Sequence, residues 1–365
     1  MTSQQHTTVT ELALPADIAA AQAAASRALI GKEGVRFEPL DAHSNFNYLY
    51  YAQVDGKRYY LKASLSAPRK LEMNLPRERV FMEAEAARLY GEWSDGLIDT
   101  PRILNVDRES YSFLMSDIGA GKNNLADILE RQYTIYANAI PRMAEAIGRC
   151  HRGSRGQRYA ELESYDAALR EFIYSKLIDP GIKQLAGHKA EPALATLKQT
   201  RECLIHSDLW AKNMLIDEHG RMALVDYEGA IVGDPAFDLA TMIAAGLMPV
   251  YQYGISLASW WQGAEHLLSA YQTGLADKDW AARILQRLPG ALAVMLAARA
   301  AGPIPYVMED SERTQLKALC LELLGSTALD VQLLPDLVAR HAPQHLSHYA
   351  TTTQSNAALS ADRGV

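Results

Sequence analysis

The segment Ile205-His206-Ser207-Asp208-Leu209-Trp210-Ala211-Lys212-Asn213 carries an H-x-D-x-x-x-x-N pattern, and thirteen residues past Asn213, after an apolar run, comes Asp226. These residue types at this spacing suit phosphoryl transfer to an alcohol. Such a transfer needs a carboxylate that orients the hydroxyl and takes its proton, the part read here for Asp208. It also needs oxygen ligands for magnesium, a hard octahedral cation that prefers carboxylate and amide oxygen to nitrogen or sulfur; Asn213 and Asp226 bring those oxygens. Asp and Asn are common turn formers, but the combination, with apolar segments on both sides, is hard to reach by accident. The reading requires that three side chains far apart in the chain converge.

The elements that must position them follow from periodicity. Residues 45–62 are dense in Tyr, Leu and Val and are interrupted by Asp55-Gly56, where a tight turn with positive φ fits, so a β-hairpin is expected. Met82, Ala86, Leu89 and Trp93 recur at helical spacing and predict a helix. Thr100-Pro101 ends it, and 103–106 with 111–115 read as two more strands. After Gly119, Gly121 and Asn123-Asn124 the pattern turns to long Ala- and Leu-rich helices, expected at 125–152, 166–178, 194–201, 237–245, 257–271, 280–301 and 311–324. Within that run, 214–216 and 222–225 flank Glu218-His219-Gly220 and read as a small hairpin. The expected class is α+β. A small N-terminal nucleotide-binding lobe, 13–116, has an antiparallel sheet and one long helix, and a large, mostly helical catalytic and acceptor-binding lobe spans 117–345. Residues 1–12 and 346–365 are expected to be disordered tails.

The loop at 205–213 resembles the catalytic loop of the aminoglycoside phosphotransferase and choline kinase superfamily, distant relatives of protein kinases. The stretch from Asp226 to Ala240, with Gly233-Asp234-Pro235 and Asp238-Leu239-Ala240, resembles that family's segment in which a metal-binding Asp is followed by a turn into a helix. Together these cover about 36 residues, and the lobe order agrees with the family's bilobal, protein-kinase-like plan. The resemblance implies ATP and Mg2+ as cofactors and a small-molecule hydroxyl as acceptor: an aminoglycoside, an amino alcohol or a sugar-like compound. It assigns His206 to bracing rather than catalysis. Ser207 departs from the Gly common there. Asp234 and Pro235 suit a helix start by capping and ring geometry, and Asp238 suits its first turn.

On the nucleotide side, Tyr60-Leu61-Lys62-Ala63 resembles the family's strand lysine, which makes Lys62 the cation for the α and β phosphates. Such a lysine is held by a helix carboxylate. Of Glu83 and Glu85, Glu85 flanks the stripe of Met82, Ala86 and Leu89 and is read as the inward one. No G-x-G-x-x-G loop is present. In its place Ser44 and Asn45 lie in a polar loop before the first strand and either meet phosphate or form an Asx-rich turn; Asn45-Phe46-Asn47-Tyr48 resembles the corresponding loop of methylthioribose kinase. The resemblance puts adenine against Met115, Ser116 and Asp117, with Phe113 behind.

Acceptor contacts are sought in Lys212, Glu228, Asp238 and Arg299, and also in Trp210, Trp260, Trp261 and Tyr306, although, Lys212 apart, residues of these types more often serve packing or the surface. Lys212 either meets the transferred phosphoryl group or sits solvated. Acidic groups near the site suit a cationic acceptor, whereas Arg299 suits a neutral or anionic sugar, as in a sugar kinase like methylthioribose kinase. A catalytically idle nucleotide-binding protein is the alternative from another class. The net charge of -7 offers no basic stripe for nucleic acid. Three scattered cysteines without metal-ligand spacing, no secretory pattern at the start and no membrane-length apolar run lead to an expectation of a cytoplasmic enzyme with no membrane partner.

Overall fold

The computed structural model describes residues 16–29, 35–40, 47–64, 76–129, 133–163, 165–253, 255–303, 308–325 and 333–342. The chain divides into two compact units: residues up to 81 with 103–116, and 82–102 with 117 onward. The expected tails lie outside the described residues.

In the first unit, β1 (Glu38–Pro39), β2 (Asn47–Val54), β3 (Lys57–Ser64), β4 (Ile103–Asp107) and β5 (Ser112–Ser116) form an antiparallel sheet in the order β1-β2-β3-β5-β4. Asp55 and Gly56 join β2 to β3 with φ of 51° and 72°, the positive pair that a two-residue turn needs to match strand twist. Alternate residues Tyr50 and Ala52 on β2, with Leu61 and Ala63 on β3, are buried together with Leu114 against Ile18, Ala21 and Ala25 of α1 (Ala16–Ala28). That helix was not foreseen. Its alanine-rich run has little contrast between faces, so periodicity has almost nothing to read.

Helix α2 (Arg79–Trp93) begins in the first unit and continues into the second. Residues 82–102 belong with the second unit, whereas the sequence reading kept 13–116 together. The contacts give the reason: Tyr90 packs edge-on against Tyr227, a Cβ on Gly153 would collide with the Trp93 ring, and Arg142 donates to the Leu97 carbonyl.

The second unit carries two small sheets among helices. Strands β6 (Lys122–Asn124), β8 (Met214–Asp217) and β9 (Met222–Leu224) pair in the order β6-β8-β9, and β7 (Cys203–Ile205) pairs antiparallel with β10 (Ile231–Gly233). The hairpin at 214–224 matches expectation, whereas the β7–β10 pair was missed because three-residue strands fall below what alternation resolves. The expected helix 125–152 appears as α3 (Leu125–Leu129) and α4 (Tyr133–Ser154). Next come α5 (Ala160–Glu163) and α6 (Asp166–Arg170), a π-helical segment Glu171–Ile178 where α-helix was expected, then α7 (Asp179–Leu185) and α8 (Glu191–Gln199). The C-terminal part holds α9 (Pro235–Tyr253), α10 (Leu257–Leu275), α11 (Lys278–Ala301), α12 (Asp310–Gly325) and α13 (Leu334–Arg340).

Two glycines let α4 and α10 approach closely. A Cβ on Gly148 would run into the Tyr271 carbonyl, and one on Gly274 into the Glu145 carbonyl. Among the described residues, only α11 is long and apolar enough to cross a membrane, and most of it is buried as a core helix of this unit. The class is α+β, as expected.

Candidate active site

β7 leads directly into the loop that holds Asp208. The loop is shaped by a carboxylate from another helix. Asp238, in the first turn of α9 and fully buried, accepts the backbone N–H of His206 (2.8 Å) and of Ser207 (2.8 Å) with its two oxygens. His151, buried near the end of α4, also lies 3.2 Å from Asp238 Oδ2 through Nε2, and its Nδ1 is 2.9 Å from the Tyr271 hydroxyl. A carboxylate only accepts, so Nε2 of His151 carries the proton. Asp238 therefore positions the loop and is closed to an acceptor, which corrects its reading as a possible substrate contact. His151 was missed by sequence reasoning. Its signal was a histidine in register with the buried positions Ile140, Met143, Ala144 and Ile147 of α4.

His206 braces the loop from inside. Asp208 N–H donates to its Nδ1 (3.2 Å) and its Nε2 donates to the Val225 carbonyl (3.2 Å), which fixes a neutral ring with the proton on Nε2. Burial pushes its pKa below the usual value, against the pull of Asp238, Asp208 and Asp226. The Tyr90 and Tyr227 rings pack on it.

A single turn of 3₁₀-helix, Ala211–Asn213, swings Asn213 back onto the loop. Its Nδ2 donates to both the backbone carbonyl (2.9 Å) and Oδ2 (2.6 Å) of Asp208. The Asn213 carbonyl accepts from Val225 N–H (3.1 Å), so Asp226 follows directly on a residue tied to both Asn213 and His206. Asp226 takes a left-handed backbone, φ 67°, a conformation that costs most non-glycine residues and that Asp tolerates better than most. Asp208, Asn213 and the Asp226 backbone thus come together. Their hard oxygen set fits a magnesium ion, which keeps water and phosphate ligands and asks only one or two carboxylates of a protein. Among the described residues no group of three or more His, Cys, Asp or Glu is arranged around a metal position.

The two basic candidates also reach Asp208. Arg299 Nη2 lies 3.2 Å from Oδ1, with its guanidinium over the Trp210 ring at 4.2 Å from the centroid, and Lys212 Nζ lies 3.3 Å from Oδ2. Arg299 sits in the last turn of α11, whose end packs tightly: a Cβ on Gly181 would meet the Ala297 carbonyl. Glu228 lies in the short turn Tyr227–Gly229 after Asp226 and is half-buried. Trp260 is buried in α10 against Trp261 and serves packing. Tyr306, Ser44 and Asn45 lie outside the described residues.

Asp234 caps α9 as expected, accepting Ala236 N–H at 2.9 Å. It is fully buried and pairs through both oxygens with Arg287 of α11 (2.8 and 2.9 Å), which also reaches Glu202 at 3.1 Å. Burial raises the Asp234 pKa while Arg287 pulls it down.

In the first unit, Lys62 lies mid-strand in β3, opposite Leu49 and Phe113, and is nearly fully buried. Met115 and Ser116 end β5, both half-buried. The Glu85 reading is corrected. Glu83 is the buried carboxylate of α2, while Glu85 bonds Arg88 (2.7 Å) on a narrow exposed stripe shared with Glu92. α2 is buried on every other side, so four apolar residues did not define its inward face.

Ser207, too, has a positive φ, 65°, and its hydroxyl donates to the Gly229 carbonyl at 2.6 Å. A Cβ on Gly229 would collide with that hydroxyl. Gly229→Ala is therefore expected to destabilise by about 1–3 kcal/mol, and most of that loss should vanish in a Ser207→Gly background. Denaturant unfolding of the four-member cycle measures this, and simple additivity would contradict the packing described.

The model of the phosphotransferase enzyme family matches residues 42–282, well over half of the chain. No curated protein matches. Among solved structures, a choline/ethanolamine kinase family protein from Mesorhizobium loti is similar at 20% identity, covering 88% of this chain and 98% of that one, with a TM-score of 0.47. Choline kinase LicA from Streptococcus pneumoniae is similar at 17% identity, over 85% of this chain and 98% of that one, TM-score 0.45. A thermostable mutant of aminoglycoside phosphotransferase APH(4)-Ia is similar at 17% identity, over 86% and 97%, TM-score 0.41.

Proposed function

The chain belongs to the phosphotransferase enzyme family, and from that premise we propose that it is an ATP- and magnesium-dependent kinase that transfers the γ-phosphate to a hydroxyl of an aminoglycoside, amino alcohol or sugar-like small molecule. The observation that carries the reading is the double hydrogen bond from Asn213 to Asp208, with Val225 stitched to Asn213 just ahead of Asp226.

Asp208 orients the acceptor hydroxyl and takes its proton as the oxygen bonds to the γ-phosphorus and the bond to the β–γ bridging oxygen breaks; ADP leaves. Asn213 and Asp226 would hold Mg2+, which when bound neutralises charge on the transferring phosphates. His206 and Asp238 keep the loop in shape. Lys62 is the proposed cation for the α and β phosphates, with Ser44 and Asn45 assigned to phosphate and Met115 and Ser116 to adenine. Buried, unpaired thiols at Cys150, Cys203 and Cys320 suit a cytoplasmic enzyme.

A sugar kinase resembling methylthioribose kinase is the second reading, favoured by Arg299 standing against Asp208. Purified protein with ATP, magnesium and a panel of sugars, amino sugars and amino alcohols, followed by mass spectrometry, is expected to yield a phosphorylated acceptor. Product from none of them would retire the proposal.

A further inference from the structure

Both oxygens of the Asp208 carboxylate already face cations. Arg299 reaches Oδ1, Lys212 reaches Oδ2, and Asn213 adds a neutral donor to Oδ2. The Asp208 carboxylate thus has a cation on each oxygen before any acceptor arrives. The two cations differ in character. Lys212 is half-exposed and held by a single long contact. Arg299 is only 15% exposed, stacked on a Trp210 ring that is itself buried, and mounted on a helix end with little room to shift. It is therefore a fixed guanidinium edge at the atom where an acceptor hydroxyl must bind.

Resting on the kinase reading above, and within it on the sugar-like acceptor rather than the cationic ones, we infer that the acceptor carries an anionic group, a carboxylate or a phosphate, close to the hydroxyl that is phosphorylated, and that Arg299 is the residue that selects it. A guanidinium matches carboxylate and phosphate with two parallel N–H bonds, a geometry that an ammonium or a neutral hydroxyl does not share. When such an anion engages the other N–H groups of Arg299, its charge offsets the pull of the guanidinium on Oδ1, and that oxygen is left to accept the hydroxyl proton. Binding the right substrate and readying the base become one event. An acceptor bearing an ammonium meets the opposite situation, a further positive charge brought beside Arg299 and Lys212, with nothing to offset the pull on Oδ1.

The test uses the full chain with ATP and magnesium and compares gluconate, glucose 6-phosphate, glucose and glucosamine. It reads kcat/KM for each, and separately the binding of each by calorimetry. The anionic members are expected to exceed glucosamine by about tenfold or more, and the order of gluconate and glucose 6-phosphate tells a carboxylate from a phosphate preference. Arg299→Glu should invert that ranking and Arg299→Lys should keep it while weakening it, with unfolding midpoints recorded so that misfolded protein is recognised. Preference for glucosamine, the ranking Glu228 would impose, or a ranking untouched by Arg299→Glu, overturns the inference. If no compound is phosphorylated yet calorimetry still orders them by charge through Arg299, the selectivity assignment stands and the kinase reading is decided by the wider acceptor panel; binding that is blind to charge overturns the inference.

Discussion

Replacing Asp208 by Asn is expected to cut phosphoryl transfer by about 10²–10⁴-fold in kcat, the usual worth of a positioned general base, while KM for ATP stays within about threefold. The reasoning is local. An amide keeps the size of the side chain and can still accept one hydrogen bond, and Asn213 Nδ2 retains the backbone carbonyl of residue 208 as a partner. The loop therefore keeps its path, held by Asp238 and His206 rather than by Asp208 itself. What is lost is the capacity to take a proton, so the defect falls on turnover and not on nucleotide binding. The Arg299 contact at Oδ1 loses its opposite charge, which adds a stability change of about 1 kcal/mol for a partly exposed pair. A variant with wild-type kcat would mean that the proton goes elsewhere.

Asp238→Ala should give the largest stability loss of any single change near the site, about 3–5 kcal/mol. Its carboxylate is fully buried and accepts from two consecutive backbone N–H groups and from His151. Truncation leaves those donors in the interior without water, and an unmade buried hydrogen bond costs more than a made one contributes. Asp238→Asn keeps one acceptor oxygen but turns an NH2 toward a donor, so it should fall between wild type and Ala. Activity measured well below the unfolding midpoint should also drop in both variants, because the residue moves Asp208 without touching substrate. Denaturant unfolding with a loss below about 1 kcal/mol for Asp238→Ala would show that the loop is held by something else.

The parts legible in the sequence were those with strong local signals. The β2–β3 hairpin declared itself through Asp55-Gly56, whose positive φ pair is a demand of backbone twist. The loop from His206 to Asn213 declared itself through residue types that phosphoryl transfer needs, and the structure brings Asp208 and Asn213 into hydrogen-bond contact. Other parts were illegible for physical reasons. Asp238 reads locally as a first-turn helix carboxylate, a role that dipole arguments explain fully; only tertiary structure turns its oxygens onto the 206–207 backbone. His151 and Arg287 act across long sequence separations, from α4 and α11, and nothing near them in the chain announces their partners. The choice between Glu83 and Glu85 failed because a helix buried on nearly all sides has no apolar stripe to phase from; its exposed line, Glu85, Arg88 and Glu92, was the informative one.

Whether Asn213 and Asp226 hold the metal beside Asp208 is decided by a crystal structure of the protein with a non-hydrolysable ATP analogue and Mn2+ in place of Mg2+, read by anomalous scattering. The expected result is a manganese peak bonded to the Asn213 amide oxygen and an Asp226 carboxylate oxygen at roughly 2.0–2.3 Å, with the terminal phosphate facing Asp208. A metal and nucleotide bound away from residues 208, 213 and 226 would contradict it.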